Sequence, residues 1–282
     1  MANGSDRIAV GANPAKVALV TGASSGIGRA IARQLAADGF RVFGTSRNGS
    51  AAPEGGIEII ELDVCSDQSV EGAMKALIAK AGRIDVAVNN AGYLLGGAVE
   101  ETSMDEAKAQ FETNFFGAFR VIKALLPTMR AQGSERIINI TSLAGVVPLP
   151  FWGLYCASKF ALEGLTESLR HEMRPFGISV SAIEAGAIKS RFYTDDRKAQ
   201  PIAAYDRWHH RFRKTMATFY RKAPGPEAVA RAVSKAVGAR KPALRYRVTP
   251  EATQFTLMRT WLPSALFEFG LRQGFHLDDA RY

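Results

Sequence analysis

The chain is short of cysteine. Cys65 and Cys156 are the only two among 282 residues. That excludes a disulfide framework, and no metal-ligand spacing surrounds either thiol, so a reducing, cytoplasmic setting is expected. Long hydrophobic runs are missing too. No stretch of about 18 apolar residues is present to span a bilayer. Met1 to Ala15 holds Gly, Asn and Pro rather than the apolar core of a signal peptide. The expectation is a soluble chain with a flexible segment over residues 1–15. Histidine is sparse: His171, His209, His210 and His276 show no ligand spacing, so they carry no expected role and no metal is expected. No internal repeat or low-complexity segment interrupts the chain.

What remains is a basic chain of 47% hydrophobic residues, enough to bury one large core, and a single domain over residues 1–282 is expected. The net charge of +9 is unevenly placed: Lys189 to Arg247 holds sixteen Lys and Arg against four Asp and Glu. Within it, Trp208-His209-His210-Arg211-Phe212-Arg213-Lys214 interleaves aromatics with bases. Such a run suits nucleic acid or an anionic membrane. It equally suits the solvated face of a helix or lid, which is the reading preferred here. Nucleic acid is not an expected partner, and peripheral membrane contact is not favoured.

Val17-Ala18-Leu19-Val20 reads as a strand. It runs straight into Thr21-Gly22-Ala23-Ser24-Ser25-Gly26-Ile27-Gly28, and a helical spacing of Ile27, Ile31 and Leu35 follows. Strand, glycine turn and helix in that order are the context in which a glycine motif binds a dinucleotide. Gly22 permits the tight turn, Gly26 lets the backbone approach a pyrophosphate, and Gly28 lets helix and strand pack closely. The helix N-terminus offers free N–H groups and the positive end of its dipole to phosphate.

The alternation continues. Strands are expected at 41–45, 57–62, 84–88, 136–140, 178–183 and 244–248, with helices over 69–80, 105–130, after Trp152 and over 226–237. This pattern predicts an α/β fold: one Rossmann-type, doubly wound parallel sheet of about seven strands with helices on both faces. Ligands then bind at the carboxyl ends of the strands, where Thr21, Asp63, Asn90, Ser142 and Glu184 lie.

The end of the second strand bears on the cofactor. An acidic residue about 20 positions past the glycine motif commonly holds a ribose 2′-hydroxyl. Here Gly44-Thr45-Ser46-Arg47-Asn48 contains no carboxylate. Arg47 suits a 2′-phosphate, helped by hydroxyls of Ser24 or Ser46. NADP(H) is therefore favoured, with NAD(H) left open.

Tyr155 and Lys159 stand four residues apart, with Ser142 thirteen residues before Tyr155. On a helix this puts phenol and ammonium on one face. A phenol ordinarily ionises near pH 10. A neighbouring ammonium is expected to pull that value down toward the range of efficient proton transfer. Ser142 is placed to hold a carbonyl or hydroxyl oxygen against the phenol.

Together these residues resemble the short-chain dehydrogenase/reductase family, and the match runs from Val17 to about Ser190. The family's glycine motif matches Thr21 to Gly28, its Asn-Asn-Ala-Gly motif matches Asn89 to Gly92, and its catalytic asparagine matches Asn114. Its serine matches Ser142, and its Tyr-x-x-x-Lys matches Tyr155 and Lys159. The resemblance implies that Tyr155 is the general acid/base and that Ser142 orients the reacting oxygen. It implies that Lys159 binds the nicotinamide ribose, and that Asn114 holds a water leading from Lys159 to solvent. It also implies that Asp63 and Val64 touch the adenine, and that Asn90, Ala91 and Gly92 line the nicotinamide half. After the sixth strand the family usually has Pro-Gly, whereas this chain has Glu184-Ala185-Gly186-Ala187-Ile188-Lys189-Ser190. Losing the proline frees φ at Ala185. Gly186, the Ile188 backbone and the Ser190 hydroxyl are still expected at the nicotinamide carboxamide.

Residues 186–224 fall where the family carries a substrate lid. Phe192, Tyr193, Tyr205, Trp208, Phe212, Met216, Phe219 and Tyr220 offer an aromatic lining for a hydrophobic alcohol or ketone, or simply a larger core. Leu143, Phe151 and Trp152 are expected on the opposite wall, so the substrate set reads Ser142, Leu143, Phe151, Trp152, Tyr155 and Phe192. Residues 250–282 form an apolar C-terminal extension similar to hydroxysteroid and retinol dehydrogenase-like members. It is expected to cap the pocket or join subunits. The family implies a homodimer or homotetramer, which Phe115, Phe119, Ile122, Phe160 and Leu165 permit. The resulting expectation is an NADP(H)-dependent oxidoreductase acting on a steroid-, retinoid- or lipid-like secondary alcohol or ketone. The alternative is a dinucleotide-binding sensor or nucleic-acid-binding protein without turnover.

Overall fold

Strands buried at every position must be covered on both faces. In the computed structural model, which describes residues 15–49, 55–190, 197–198 and 201–278, β1 (Val17–Val20) and β4 (Val86–Asn89) are of this kind. They lie at the centre of a seven-stranded parallel sheet with β2 (Arg41–Ser46), β3 (Glu58–Glu61), β6 (Arg136–Ile140), β7 (Ser179–Glu184) and β9 (Arg245–Arg247). The order is β3-β2-β1-β4-β6-β7-β9. Alternate residues of each strand feed opposite cores. Val17, Leu19 and Ala87 pack against α2 (Asp67–Ala81), α4 (Gly117–Gln132) and α5 (Gly153–Met173). Ala18, Val20 and Val88 pack against α1 (Gly26–Ala37) and α7 (Glu227–Gly238). The order reverses between β1 and β4, which opens a crevice at their carboxyl ends.

Local chemistry sets the helix ends. Ser66 caps α2 by accepting from the Ser69 N–H, and Gly82 closes it in the left-handed region at φ 71°. Ser103 and Glu106 form a reciprocal capping box on α3 (Met104–Phe111).

The doubly wound sheet is as the sequence predicts, with strand ends within about two residues. Two features are not foreshadowed. The single helix expected over 105–130 is two helices, α3 and α4, joined by a π turn at Glu112–Phe116. The extra residue in that turn shifts the helical register. In addition, β5 (Leu95–Gly96) and β8 (Arg197–Lys198) form a small parallel pair apart from the main sheet.

The C-terminal extension is a helix pair, α8 (Pro250–Trp261) and α9 (Ser264–Gly274). Its inner face, with Ala252, Phe255, Phe267 and Leu271, packs on Leu143 and Val147 just beyond β6. Thr249 caps α8 and sits so close to Gly186 that a Cβ there would lie 2.1 Å from its hydroxyl oxygen. The extension is thereby locked to the loop following β7. Its outer face exposes Leu257, Met258, Trp261, Leu266 and Phe269. Among the described residues no helix is long and apolar enough to cross a membrane. The expected N-terminal flexible segment lies almost wholly outside the described residues.

Candidate active site

The crevice holds a cavity of about 690 Å³. Every expected cofactor residue lines it except Gly28. Gly28 acts from behind: a Cβ there would lie 2.2 Å from the Gly22 carbonyl oxygen and 2.5 Å from Asn90 Nδ2. Gly22 itself turns the chain at φ 67°, a conformation that favours glycine. Ser25, the residue before α1, makes no side-chain capping bond, so the first N–H groups of α1 face the cavity uncapped.

The cavity floor is braced across strand ends. Thr21 Oγ1 accepts from the N–H groups of Asn90 and Ala91 at 2.9 and 3.0 Å, and Asn90 Nδ2 donates to the Thr21 carbonyl at 2.9 Å. The π turn sets Asn114 behind the same wall, buried and not itself among the lining residues. Its Oδ1 accepts from the Tyr93 N–H at 3.0 Å, while its Nδ2 donates to the Tyr93 carbonyl and to Ser158 Oγ.

Two buried hydroxyls on this cavity, Ser46 Oγ and Ser190 Oγ, have no hydrogen-bond partner among the described residues. Buried polar atoms are ordinarily satisfied. Two orphans at the two ends of a long cleft, with uncapped helix N–H groups between them, fit a polar ligand of dinucleotide type. Arg47 is exposed at the Ser46 end, and no described residue pairs with it. The loop in which proline is missing is pinned rather than slack. The Ala185 carbonyl accepts from Ser142 Oγ and from the Leu143 N–H, and the Lys189 N–H donates to the Pro224 carbonyl.

Ser142, Tyr155 and Lys159 converge on the far end of the cavity. Burial pushes the Tyr155 phenol well above its ordinary value, and its hydrogen bond with Ser142 works against that rise. The expected lowering by Lys159 is not realised in the protein alone. The Lys159 ammonium donates to the Ile140 carbonyl at 2.9 Å and stands 5.9 Å from the centre of the phenol ring. Lys159 is itself perturbed: burial lowers it to about 8, opposed by the charge of Glu163 one turn along α5. Burial also pushes the Cys156 thiol up to about 11, so it is inert at neutral pH.

A crevice with these groups has relatives of known chemistry. The family described as short chain dehydrogenase matches residues 16–201. A 3-ketodihydrosphingosine reductase of Bacteroides thetaiotaomicron is 36% identical over 262 residues, covering 91% of this chain and 97% of that protein. The 17-beta-hydroxysteroid dehydrogenase type 1 of Mus musculus is 38% identical over 270 residues, covering 88% of this chain and 78% of that protein. A solved point variant of actinorhodin polyketide ketoreductase with NADPH superposes with a TM-score of 0.71 at 30% identity, over 84% of this chain and 97% of that one. The chain belongs to the short chain dehydrogenase family. It is an oxidoreductase of that class.

Beside Tyr155 in this short chain dehydrogenase, aromatic rings are packed in sequence. Trp152 meets Tyr155 edge-on at 6.1 Å and Phe212 at 5.4 Å, and Phe212 stacks on Phe275 at 5.3 Å. Phe212 belongs to α6 (Asp206–Lys222), whose buried Phe212 and Met216 face inward while Arg207, Lys214 and Lys222 face solvent. Of the two readings of the aromatic run, the packed core is what the contacts show: Phe212 and Met216 are buried with Trp152 and Tyr155, and no described residue of the run lines the large cavity. Phe151 and Trp152 line a separate small crevice of about 90 Å³ with His209 and Glu101. Leu143 departs from expectation. It is buried under α8 and α9 with Val147 and Phe267, and it does not line the large cavity. Phe192 lies outside the described residues.

The sequence reading missed what anchors α6. Glu101 is buried, and it accepts from the N–H groups of Ala98 and Ile202 and pairs with His209 Nε2 at 2.7 Å. Burial tends to raise its carboxyl, but those backbone donors and His209 together hold it below the usual value. His209, given no role from spacing, thus ties α6 to the body across 108 residues. No local motif announces such a pair. Thr45, Leu62, Cys65, Tyr93, Thr113 and Thr141 also line the cavity. Thr45, Leu62 and Thr141 are at strand ends and Thr113 is in the π turn, while Cys65 and Tyr93 lie four residues past β3 and β4.

Proposed function

We propose that the protein is an NADP(H)-dependent oxidoreductase that interconverts a hydrophobic secondary alcohol and its ketone, with Tyr155 as acid/base. The observation that carries this reading is the seating of Ser142, Tyr155 and Lys159 at one end of a dinucleotide-sized cleft, with Trp152 packed against Tyr155. When bound, the nicotinamide cofactor supplies or takes up the hydride. The protein's part is to position groups and to handle the proton.

In reduction, Tyr155 gives its proton to the carbonyl oxygen as that oxygen gains charge, and Ser142 holds the oxygen against the phenol. Burial keeps the phenol protonated at neutral pH, the state a proton donor needs. Asn114 braces the wall at Tyr93 and, in this reading, holds the water that reprotonates the site past Lys159. Lys159 binds the ribose hydroxyls. Asp63 and Val64 take the adenine, while Gly186, Ile188 and Ser190 take the carboxamide. Trp152, packed edge-on against Tyr155, supplies apolar surface beside the reacting oxygen. The keto-sphingoid and the hydroxysteroid in the relatives' names are a long-chain ketone and a rigid apolar alcohol, in keeping with such a surface.

NADP(H) is preferred because Arg47 and Ser46 stand where an acid would hold a 2′-hydroxyl. Arg47→Ala should weaken NADPH binding about tenfold or more, the worth of a charge-assisted hydrogen bond, and leave NADH binding nearly unchanged. Equal losses for the two cofactors would remove the argument.

Lys159 predicts a pH dependence. Its value lies below that of a free lysine, so the ammonium is present below about pH 8 and lost above it. NADPH affinity, read by fluorescence titration, should fall as pH rises through that value. A flat profile from pH 7 to 9 would contradict it.

Phe116, Phe119 and Phe160 are exposed together on the π turn, α4 and α5, and we read them as a subunit face. Ile122, also expected there, points instead into the chain's own core. Light scattering of the purified protein reads the outcome: a dimer or tetramer supports the reading and a monomer sinks it.

A further inference from the structure

Behind Lys159 lies a group of buried charges that the reaction does not use. Glu163 follows Lys159 by one turn of α5 and is 4% exposed. Gly145 lets the chain close over this pair, for a Cβ there would meet the Lys159 carbonyl oxygen at 3.1 Å and Glu163 Cγ at 3.2 Å. One oxygen of Glu163 is held by Arg245 Nε on β9 at 3.0 Å. The other, Oε1, is buried without a hydrogen-bond partner. Arg245 also reaches Glu167 on α5 and Glu184 on β7, and Arg247 on β9 pairs with Glu184 at 2.9 Å. Thr141 on β6 is the remaining polar side chain against Glu163, and Tyr155 and Glu163 are the titratable groups facing Lys159.

A carboxylate with one lone oxygen is expensive to bury. A packed apolar residue would fill the space at less cost. The arrangement makes sense if the negative charge serves its neighbour. An isolated ammonium buried as Lys159 is would tend to lose its proton, and its partner at Ile140 is only a carbonyl.

We propose that Glu163, held in place by Arg245, is a positioning residue that favours the charged form of Lys159 within the cofactor cleft. The idea rests on the reading of Lys159 as a cofactor-binding group. Two opposing influences on Glu163 fit it. Burial drives its carboxyl upward and the neighbouring Glu184 adds to that, while Arg245 and Thr141 pull it back. Burial leaves the Glu163 carboxyl above its ordinary value on balance, with Thr141 and then Arg245 opposing the rise. The chain from cleft to sheet edge runs Lys159, Glu163, Arg245, Glu184, Arg247, alternating in sign throughout.

The test is the pH dependence of NADPH binding, measured by fluorescence titration on the purified full-length protein. In Glu163→Gln the midpoint of the alkaline loss should move to lower pH by about one unit. Binding at pH 6 should stay near that of the wild type. Glu163→Asp should restore most of the shift. Arg245→Gln should move the midpoint the same way, because Glu163 then takes up a proton. Lys159→Met separates the two ideas. If it abolishes the alkaline loss while Glu163→Gln leaves the midpoint in place, Glu163 has no such role though Lys159 does. If Lys159→Met retains the loss, the reading of Lys159 itself is wrong. Should Glu163→Gln fold poorly, Arg245→Gln carries the same test, and an unmoved midpoint in a folded variant overturns the proposal.

Discussion

Tyr155→Phe should lower kcat for ketone reduction by about 10²–10⁴, the usual contribution of a positioned acid, with NADPH binding changed little. The variant removes one oxygen from a side chain that is otherwise fixed by packing against Trp152, Cys156 and Phe212. Phenylalanine occupies the same space, so cavity and strain effects are small. The hydrogen bond lost from Ser142 leaves that hydroxyl with its other partners, the Ala185 carbonyl and the Ala144 N–H. Circular dichroism should therefore be unchanged, and the loss should appear in kcat. A variant reducing its ketone at the wild-type rate would remove Tyr155 from the chemistry.

The second large effect is predicted for Gly28→Ala. The new methyl would sit 2.2 Å from one backbone atom, the Gly22 oxygen, and 2.8 Å from another, the Gly22 carbonyl carbon. Backbone cannot swing aside as a side-chain tip can, so either α1 or the turn before it must move. Either movement displaces the N–H groups that face the cavity, and NADPH affinity should fall by about 100-fold or more, close to 3 kcal/mol. The thermal midpoint should fall as well. Gly72→Ala provides the contrast. Gly72 lies within α2 with open space around its Cβ position, so alanine there should raise stability by up to about 1 kcal/mol and leave binding alone. If Gly28→Ala bound NADPH as the wild type does, the close packing of turn and helix would not be what shapes the cleft.

The sheet was legible in the sequence because its strands are short apolar runs ending in polar residues, and its helices repeat apolar residues at helical spacing. Ile31 and Leu35 on α1 show this plainly: the expected helical spacing puts both in the core. The grouping of residues on one cavity was legible because they cluster at strand ends in short motifs. The π turn was not, since one added residue within an apolar helical stretch leaves the pattern unbroken. Nor was the link from Glu101 to His209, or the ladder from Glu163 to Arg247, because each joins residues far apart in sequence through burial alone. Leu143 illustrates the limit. Adjacency to Ser142 suggested the substrate wall, but the turn after Ser142 rotates the next side chain away beneath α8 and α9, whose docking site no sequence pattern revealed. The phenol's ionisation failed for a similar reason. Helical spacing places Lys159 beside Tyr155, but it does not show that both are buried or that the ammonium already has a carbonyl to bond.

The most direct test is to mix the purified protein with NADPH and a set of apolar ketones, including a long-chain amino ketone of the sphingoid type and a steroid ketone, and to follow NADPH absorbance. NADPH should be consumed in step with formation of the secondary alcohol, by the wild type and not by Tyr155→Phe. If NADPH binds but no ketone is reduced, and no corresponding alcohol reduces NADP⁺, the protein is not the carbonyl oxidoreductase proposed here.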